Sequence, residues 1–260
     1  MRIKQPLQVG LWLLGAVFLI ACQPVAQQPA TTPTLFLIGD SITADKTPEA
    51  FPETGWGQVL PEYLKGELHI QNHAKNGRST KSFRDEGLWK VVADQLKPGD
   101  FLVIGFGHND QKIEDPTRYA EPWSDYKRNL ENYIAEAQAK GASVILTTSV
   151  YRRQFDDNGQ PLASLGDYPL AARQVAAEQL LPLIDFNAYS RSLLNKYGKD
   201  GSAGLYMNLA PGEFPNYPEG KLDNTHFKPE GAQLLARYFI AQLQLQSLPA
   251  GQYFQLQDKK

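Results

Sequence analysis

The chain has 260 residues, 42% of them hydrophobic, with 26 basic against 28 acidic side chains and a formal net charge of −2. This length and composition allow one sizeable core and exclude a disordered or low-complexity protein. The near balance of charge excludes the broad basic field of a nucleic-acid-binding protein. A single cysteine excludes an intramolecular disulfide and a thiolate metal cluster.

The first 21 residues have the pattern of an export signal. Arg2 and Lys4 precede an apolar run, 9–21, which is shorter than the roughly 20 residues of a membrane span. The run ends in Leu-Ile-Ala followed by Cys22, which resembles a bacterial lipobox, whose cysteine becomes the lipidated first residue of the mature protein. An ordinary signal peptide with an incidental cysteine is the alternative. We predict a lipoprotein signal peptide over residues 1–21 and lipidation at Cys22.

Residues 22–33, rich in Gln, Pro, Ala and Thr, predict a flexible tether. Loss of the signal peptide would remove two basic residues and no acidic ones, which leaves 24 against 28 and a net charge of −4. Gln23 stands where an Asp would, by the usual bacterial sorting pattern, retain the protein at the inner membrane. We therefore expect an exported lipoprotein of the outer membrane, on its periplasmic or surface face, held by the lipid anchor alone.

After residue 33, short apolar runs alternate with segments of helical spacing, typical of strands covered on both faces and of the helices that cover them. In the second predicted helix, Leu88, Val91, Val92 and Leu96 share one side. Pro229 is an acceptable first residue for the last helix. In chain order we predict strands at 35–38, 68–72, 101–106, 143–148 and 181–184, and helices at 56–64, 88–96, 123–140, 168–180, 188–197 and from 229 onward.

This alternation predicts a parallel sheet between helix layers in one domain, residues 34–260. The stretch 206–221, crowded with Pro, Gly and aromatic residues, is predicted to be a long connection. Parallel sheets bind ligands outside the carboxyl ends of their strands. Three polar loops are expected at that edge: Gly-Asp-Ser at 39–41, Asn-Gly at 76–77 and Gly-His-Asn-Asp at 107–110.

Serine becomes a nucleophile when a base takes its proton and a third group orients that base. Asp223 lies three residues before His226, so its carboxylate can reach one imidazole nitrogen while the other faces Ser41. The backbone N–H groups of Ser41 and Gly77 and the side-chain amide of Asn109 are candidate donors to an oxyanion. Each piece has a structural alternative, since Gly-Asp-Ser often forms a turn and Asp-x-x-His is common. No set of metal ligands has convincing spacing.

These blocks resemble the SGNH hydrolase superfamily, and the Gly-x-Ser-x-Gly elbow of α/β-hydrolases is absent. The stretches NHAKNGRSTKSFRDEGLW, GFGHND, RRQFDDNG, GDYP and PGEFPNYPEGKLDNTHF are similar to bacterial rhamnogalacturonan acetylesterases. The resemblance implies a three-layer α/β/α flavodoxin-like fold with a parallel central sheet, and removal of O-acetyl groups from pectin rhamnogalacturonan without a cofactor or metal. It implies Ser41 as nucleophile, His226 as base and Asp223 as its orienter, with an oxyanion hole of Ser41, Gly77 and Asn109.

The expected partner is an acetylated pectic polysaccharide or oligosaccharide, which is anionic. Arg78, Lys81, Arg152 and Arg153 are candidates to attract it, and His108 lies in a polar loop of the predicted site; a solvated charged face is the alternative. The motifs leave open an esterase on another acetylated glycan, or a lipase or thioesterase. A non-catalytic carbohydrate-binding lipoprotein is the alternative from a different class.

Overall fold

The computed structural model describes Met1 and residues 32–256. The predicted signal peptide, Cys22 and the tether up to residue 31 lie outside the described residues, so the division of the chain at residues 21 and 33 stays a prediction. In the described part of the chain, no helix has both the length and the hydropathy that crossing a membrane requires.

The five predicted strands form one parallel sheet, and the prediction is confirmed to within two residues at every strand end. Across the sheet the strands lie in the order β2-β1-β3-β4-β5. Gly39 pairs with Gly105, so β1 and β3 end side by side. The strands are β1 Thr34–Gly39, β2 His69–Asn72, β3 Phe101–Gly105, β4 Ser143–Thr147 and β5 Leu183–Ile184.

Helices cover both faces of this sheet, which confirms the three-layer α/β/α prediction. One face of β1 presents Phe36 and Ile38 to a core shared with α1 to α4, and the other presents Leu35 and Leu37 to a core shared with α5 and α6. The helices are α1 Thr80–Asp85, α2 Leu88–Ala93, α3 Lys127–Ala139, α4 Tyr168–Glu178, α5 Phe186–Gly201 and α6 Pro229–Leu245.

Three helix predictions need correction. The segment predicted at 56–64 is a 3₁₀ helix, Gly57–Tyr63; in an α-helix the ring of Pro61 would clash with the carbonyl four residues earlier. The helix predicted from 123 begins with a π-helical turn, Pro122–Tyr126, before α3. Val91 is 53% exposed, since Trp89 and Val92 are the residues of α2 that face the core. Helix α1 was not predicted at all; Ser79 and Ser82 cap its start.

The stretch predicted as a connection contains half of an antiparallel hairpin, β6 Tyr206–Leu209 with β7 Lys221–Phe227. Tyr206 and Met207 are buried, so β6 belongs to the core. The backbone of β7 is held from outside the hairpin by the N–H of Arg153, which donates to the carbonyl of Asn224 at 2.7 Å. Because β7 carries Asp223 and His226, this hairpin positions the predicted base.

Candidate active site

Ser41 stands on a sharp turn directly after β1. A Cβ atom at Gly39 would lie 2.5 Å from the carbonyl oxygen of Gly105, so this close approach of β1 and β3 requires glycine. The backbone carbonyl of Asp40 accepts from the N–H groups of Thr43 and Ala44 at 3.2 and 3.1 Å. The Asp40 carboxylate accepts from the N–H of Ile42 at 3.0 Å and so braces the loop.

The structure brings Ser41, His226 and Asp223 into one hydrogen-bonded line, although 185 positions separate Ser41 from His226. Nε2 of His226 lies 2.8 Å from Oγ of Ser41, and Nδ1 of His226 lies 2.8 Å from Oδ2 of Asp223. A carboxylate that accepts from Nδ1–H leaves Nε2 as the acceptor. The arrangement can therefore take the proton of the Ser41 hydroxyl.

The Asp223 carboxylate is held as an anion. Its Oδ1 accepts from the backbone N–H groups of Thr225 and His226 at 2.9 and 3.1 Å. Burial raises the pKa of Asp223, but the hydrogen bond and charge of His226, together with these two backbone donors, outweigh burial and hold the pKa well below its ordinary value. Asp223 thus stays charged and acceptor-only beside the imidazole.

The three predicted oxyanion donors lie on loops that contact one another. Gly77 has φ +77° and sits in a turn closed by the N–H of Arg78 on the carbonyl of Lys75, at 3.2 Å. Asn109 Nδ2 donates to the carbonyl of Arg78 at 3.1 Å, so Asn109 lies beside this turn with one amide hydrogen remaining. Within residues 32–256, the backbone N–H groups of Ser41 and Gly77 have no acceptor.

Lys46, which the sequence analysis missed, joins the nucleophile turn to the Gly77 turn. Its side chain is 2% exposed, and Nζ donates to the carbonyl of Ser41 at 2.6 Å and to Oδ1 of Asn76 at 2.8 Å. Asn76 immediately precedes Gly77. A single buried ammonium therefore sets the separation between the two backbone donors.

The same lysine begins a chain of charges that returns to the base. Lys46 pairs with Glu53 at 3.0 Å, Glu53 with Lys221 at 3.4 Å, and Lys221 with Oδ2 of Asp223 at 3.5 Å. Burial raises the pKa of Glu53, but the charges of His226 and Lys46 together lower it by more than burial raises it. The pKa of Glu53 therefore lies below its ordinary value. Burial lowers the pKa of Lys46, and the charge of Glu53 opposes that shift. The predicted nucleophile, the predicted oxyanion donors and the predicted base are thus linked through one ionic network.

Replacing Lys46 with Met is expected to lower kcat on an acetyl ester by about 10²-fold, the loss typical of one misplaced oxyanion donor, with little change in KM. It also leaves Glu53 without its buried partner, so the melting temperature should fall. Only the longer contact with Lys221 then remains to Glu53, and the Lys46→Met/Glu53→Gln double variant removes the charge of this carboxylate. Recovery of the melting temperature without recovery of kcat would identify Lys46 as a positioning residue; recovery of both would show that the single variant was merely unstable.

The five candidate substrate-binding residues have different surroundings. Lys81 donates from Nζ to the carbonyl of Pro116 at 2.5 Å. His108 is buried, with Nδ1 at 3.3 Å from Asp40 and Nε2 at 3.1 Å from the carbonyl of Val150. Arg153 is bonded to Asn224, Nη1 to Oδ1 at 3.0 Å, and so braces β7. Through these contacts His108 and Arg153 hold neighbouring loops and strand β7 in place. Substrate binding by either residue stays a prediction.

Arg78 and Arg152 are both partly exposed. Arg78 is about one-third exposed and pairs with Glu86 at 2.7 Å. Arg152 is half-buried and lies between the carbonyls of His108 and Ser164, at 3.4 and 3.3 Å. Their contacts leave substrate binding a prediction here too.

Comparison with known proteins relates the whole domain to hydrolases of esters. A family model described as the GDSL-like lipase/acylhydrolase family matches residues 37–234. The chain is 40% identical over 215 residues to the rhamnogalacturonan acetylesterase RhgT of Bacillus subtilis, covering 83% of this chain and 91% of RhgT. It is 34% identical to the probable rhamnogalacturonan acetylesterase YesY of the same organism, covering 83% and 94%. The crystal structure of Bacillus subtilis YxiM matches with a TM-score of 0.72 at 28% identity, over 85% of this chain and 59% of YxiM.

Proposed function

This chain belongs to the GDSL-like lipase/acylhydrolase family, and we propose that it is a carbohydrate esterase that removes O-acetyl groups from the rhamnogalacturonan of pectin. The observation that carries the proposal is the line of two 2.8 Å contacts from Ser41 through His226 to Asp223. The substrate is inferred from RhgT and YesY, whose names refer to rhamnogalacturonan and whose sequences align with this chain over more than nine-tenths of their lengths.

In the first half of the reaction, Oγ of Ser41 attacks the acetyl carbonyl carbon while Nε2 of His226 accepts the hydroxyl proton. The carbonyl oxygen becomes an oxyanion, which the N–H groups of Ser41 and Gly77 and the amide of Asn109 stabilise. The bond to the sugar oxygen then breaks, and His226 returns its proton to that oxygen. The products are a free sugar hydroxyl and an acetyl ester on Ser41.

In the second half, water attacks the acetyl ester on Ser41 while His226 accepts a proton from the water. The same donors hold the second oxyanion. Collapse releases acetate and returns the proton from His226 to Oγ of Ser41. Throughout the cycle Asp223 stays ionised and stabilises the imidazolium, because its pKa is held low by the contacts described above.

The proposal is tested by acetate release from acetylated rhamnogalacturonan, acetylated xylan and chitin, with Ser41→Ala as the inactive control. We expect the fastest release from rhamnogalacturonan. A faster reaction on xylan would overturn the substrate but keep the esterase. A faster reaction on chitin, whose acetyl groups are amides, would overturn the esterase as well. A preference for long-chain over acetyl p-nitrophenyl esters would point to a lipase. Wild type with no turnover and no fluorophosphonate label on Ser41 would indicate a binding protein without chemistry.

We further propose that the enzyme is exported and held at the outer membrane by lipid on Cys22. The basic start, the apolar run and the small residue before Cys22 support this. With the full chain expressed in a bacterium and fed an alkyne fatty acid, we expect labelled protein in the outer-membrane fraction. Cys22→Ala should abolish the label, and Gln23→Asp should shift the labelled protein to the inner membrane. A Cys22→Ala variant that stays labelled would exclude this anchor.

A further inference from the structure

A cavity of about 470 Å³ opens at the same edge of the sheet as Ser41, outside the carboxyl ends of β4 and β5. Its walls are the loop after β4 and the first turns of α4 and α5. Neighbouring strands lie about 4.8 Å apart, and β1, β3, β4 and β5 are successive. The cavity therefore begins roughly 10–14 Å from the strand that carries Ser41, within reach of a polymer bound at the nucleophile.

The cavity is positively charged in a protein of net negative charge. Arg173 and Arg191 line it, and no Asp or Glu does. Arg173 is occupied, with bonds to Asp185 at 2.9 and 3.1 Å. Arg191 is exposed, and its side chain has no hydrogen-bond or ion-pair partner among the described residues. One guanidinium at the mouth is thus free for an anionic ligand.

The remaining lining suits a sugar. Ser192 and Asn195 follow Arg191 on α5. The hydroxyl of Ser192 donates to the carbonyl of Tyr189 at 2.6 Å, so its oxygen remains as an acceptor, and Asn195 offers an amide. Pro169 and Leu170 on α4 form an apolar wall, and Leu170 is 51% exposed. Apolar walls with a few convergent polar groups are typical of small-ligand sites. A guanidinium binds a carboxylate by two parallel hydrogen bonds. The combination fits a sugar that carries a carboxylate.

Arg152 connects this cavity to the catalytic loops. Its guanidinium donates to the carbonyl of Ser164, which lines the cavity, and to the carbonyl of His108, the neighbour of Asn109. The side chain of Arg152 therefore contacts both the wall of the cavity and the loop that carries Asn109, a predicted oxyanion donor. This fixes the cavity relative to the reacting ester.

We propose that the cavity is a subsite for a uronic acid residue of the substrate chain, with Arg191 binding its carboxylate while an acetylated sugar elsewhere on the chain lies at Ser41. The inference rests on the proposed function, because it places the anionic sugar of rhamnogalacturonan. It adds a site that Ser41, His226 and the oxyanion donors do not touch. Specificity for an acidic polymer then comes from one local cation despite the acidic composition of the whole chain.

The test compares Arg191→Gln with Lys196→Gln, which removes the same charge from an exposed position of the same helix outside the cavity. With Arg191→Gln, KM for acetylated rhamnogalacturonan should rise about tenfold, the value of one charge-assisted hydrogen bond, while kcat stays unchanged. Turnover of p-nitrophenyl acetate should not change in either variant. Added salt should raise the wild-type KM toward that of Arg191→Gln.

Equal KM values for wild type, Arg191→Gln and Lys196→Gln on acetylated rhamnogalacturonan would overturn the proposed subsite. Acetate release in the same assay would still support the proposed esterase function. Calorimetry with unacetylated, galacturonate-containing oligosaccharides is the second measurement and needs no catalysis. Binding to wild type that is lost only in Arg191→Gln supports the subsite even if acetate is not released from rhamnogalacturonan. Absence of binding to wild type, or equal binding to both variants, overturns it.

Discussion

Replacing Ser41 with Ala is expected to lower kcat on acetyl esters by about 10⁴–10⁶-fold, because the only attacking oxygen is removed. His226→Ala should lower kcat by about the same factor, because Nε2 of His226 lies 2.8 Å from Oγ of Ser41 and accepts its proton. The Ser41→Ala/His226→Ala double variant should be no worse than either single variant, because residues that act as a unit are not additive. Turnover of p-nitrophenyl acetate and of acetylated rhamnogalacturonan measures all three.

The matched control is Ser143→Ala, which removes an exposed hydroxyl at the opposite end of the sheet, where β4 begins. It should retain full activity and full labelling by a fluorophosphonate, whereas Ser41→Ala should lose both at an unchanged melting temperature. A double variant whose loss equals the product of the two single losses would show that Ser41 and His226 act separately. That outcome would contradict the proton transfer described above.

The sheet and the line of catalytic side chains could be predicted because their signals are local. The core residues of β1 are continuous in the sequence, and a strand buried on both faces requires such a run. Ser41 follows that run directly, so its position at the sheet edge follows from the strand. Asp223 and His226 are three residues apart, so their contact needed no knowledge of the fold.

The ionic network could not be predicted because its signal is not local. Lys221 and Glu53 are 168 positions apart, and each resembles an ordinary surface charge in the sequence. Lys46 is five residues from Ser41, but nothing in its neighbours indicates that its side chain is only 2% exposed. Burial of a charged side chain is decided by tertiary packing, which brings its partners together.

The hairpin was missed for a different reason. The residues between β6 and β7 include Pro211, Gly212, Pro215, Pro218 and Gly220, which indicate turns and conceal the short strand before them. The local composition correctly indicated turns, but it did not indicate that they connect two paired strands. Strand β7 of the hairpin brings His226, the predicted base, within 2.8 Å of Ser41, so an irregular part of the sequence positions part of the candidate site.

Asp223→Asn is expected to lower kcat by about 10⁴-fold without unfolding the enzyme. The Asn carbonyl can still accept from the N–H groups of Thr225 and His226, so the backbone of β7 around the substitution is retained. Its amide nitrogen, however, donates toward Nδ1 instead of accepting from it. Nε2 then carries the proton and cannot accept one from Ser41. Wild-type kcat in this variant would show that Asp223 does not set the tautomer of His226.

The same substitution tests the charge on Asp223 through stability. The pKa of Asp223 is held below its ordinary value of 3.8, so its ionised form stabilises the folded protein above that pH, and this contribution is lost as the pH falls toward the lowered pKa. Urea unfolding at neutral pH should therefore show Asp223→Asn to be less stable than wild type. The difference should shrink as the pH falls below 3.8, provided that both proteins stay folded. A difference independent of pH would mean that shape, and not charge, holds Asp223 against the imidazole.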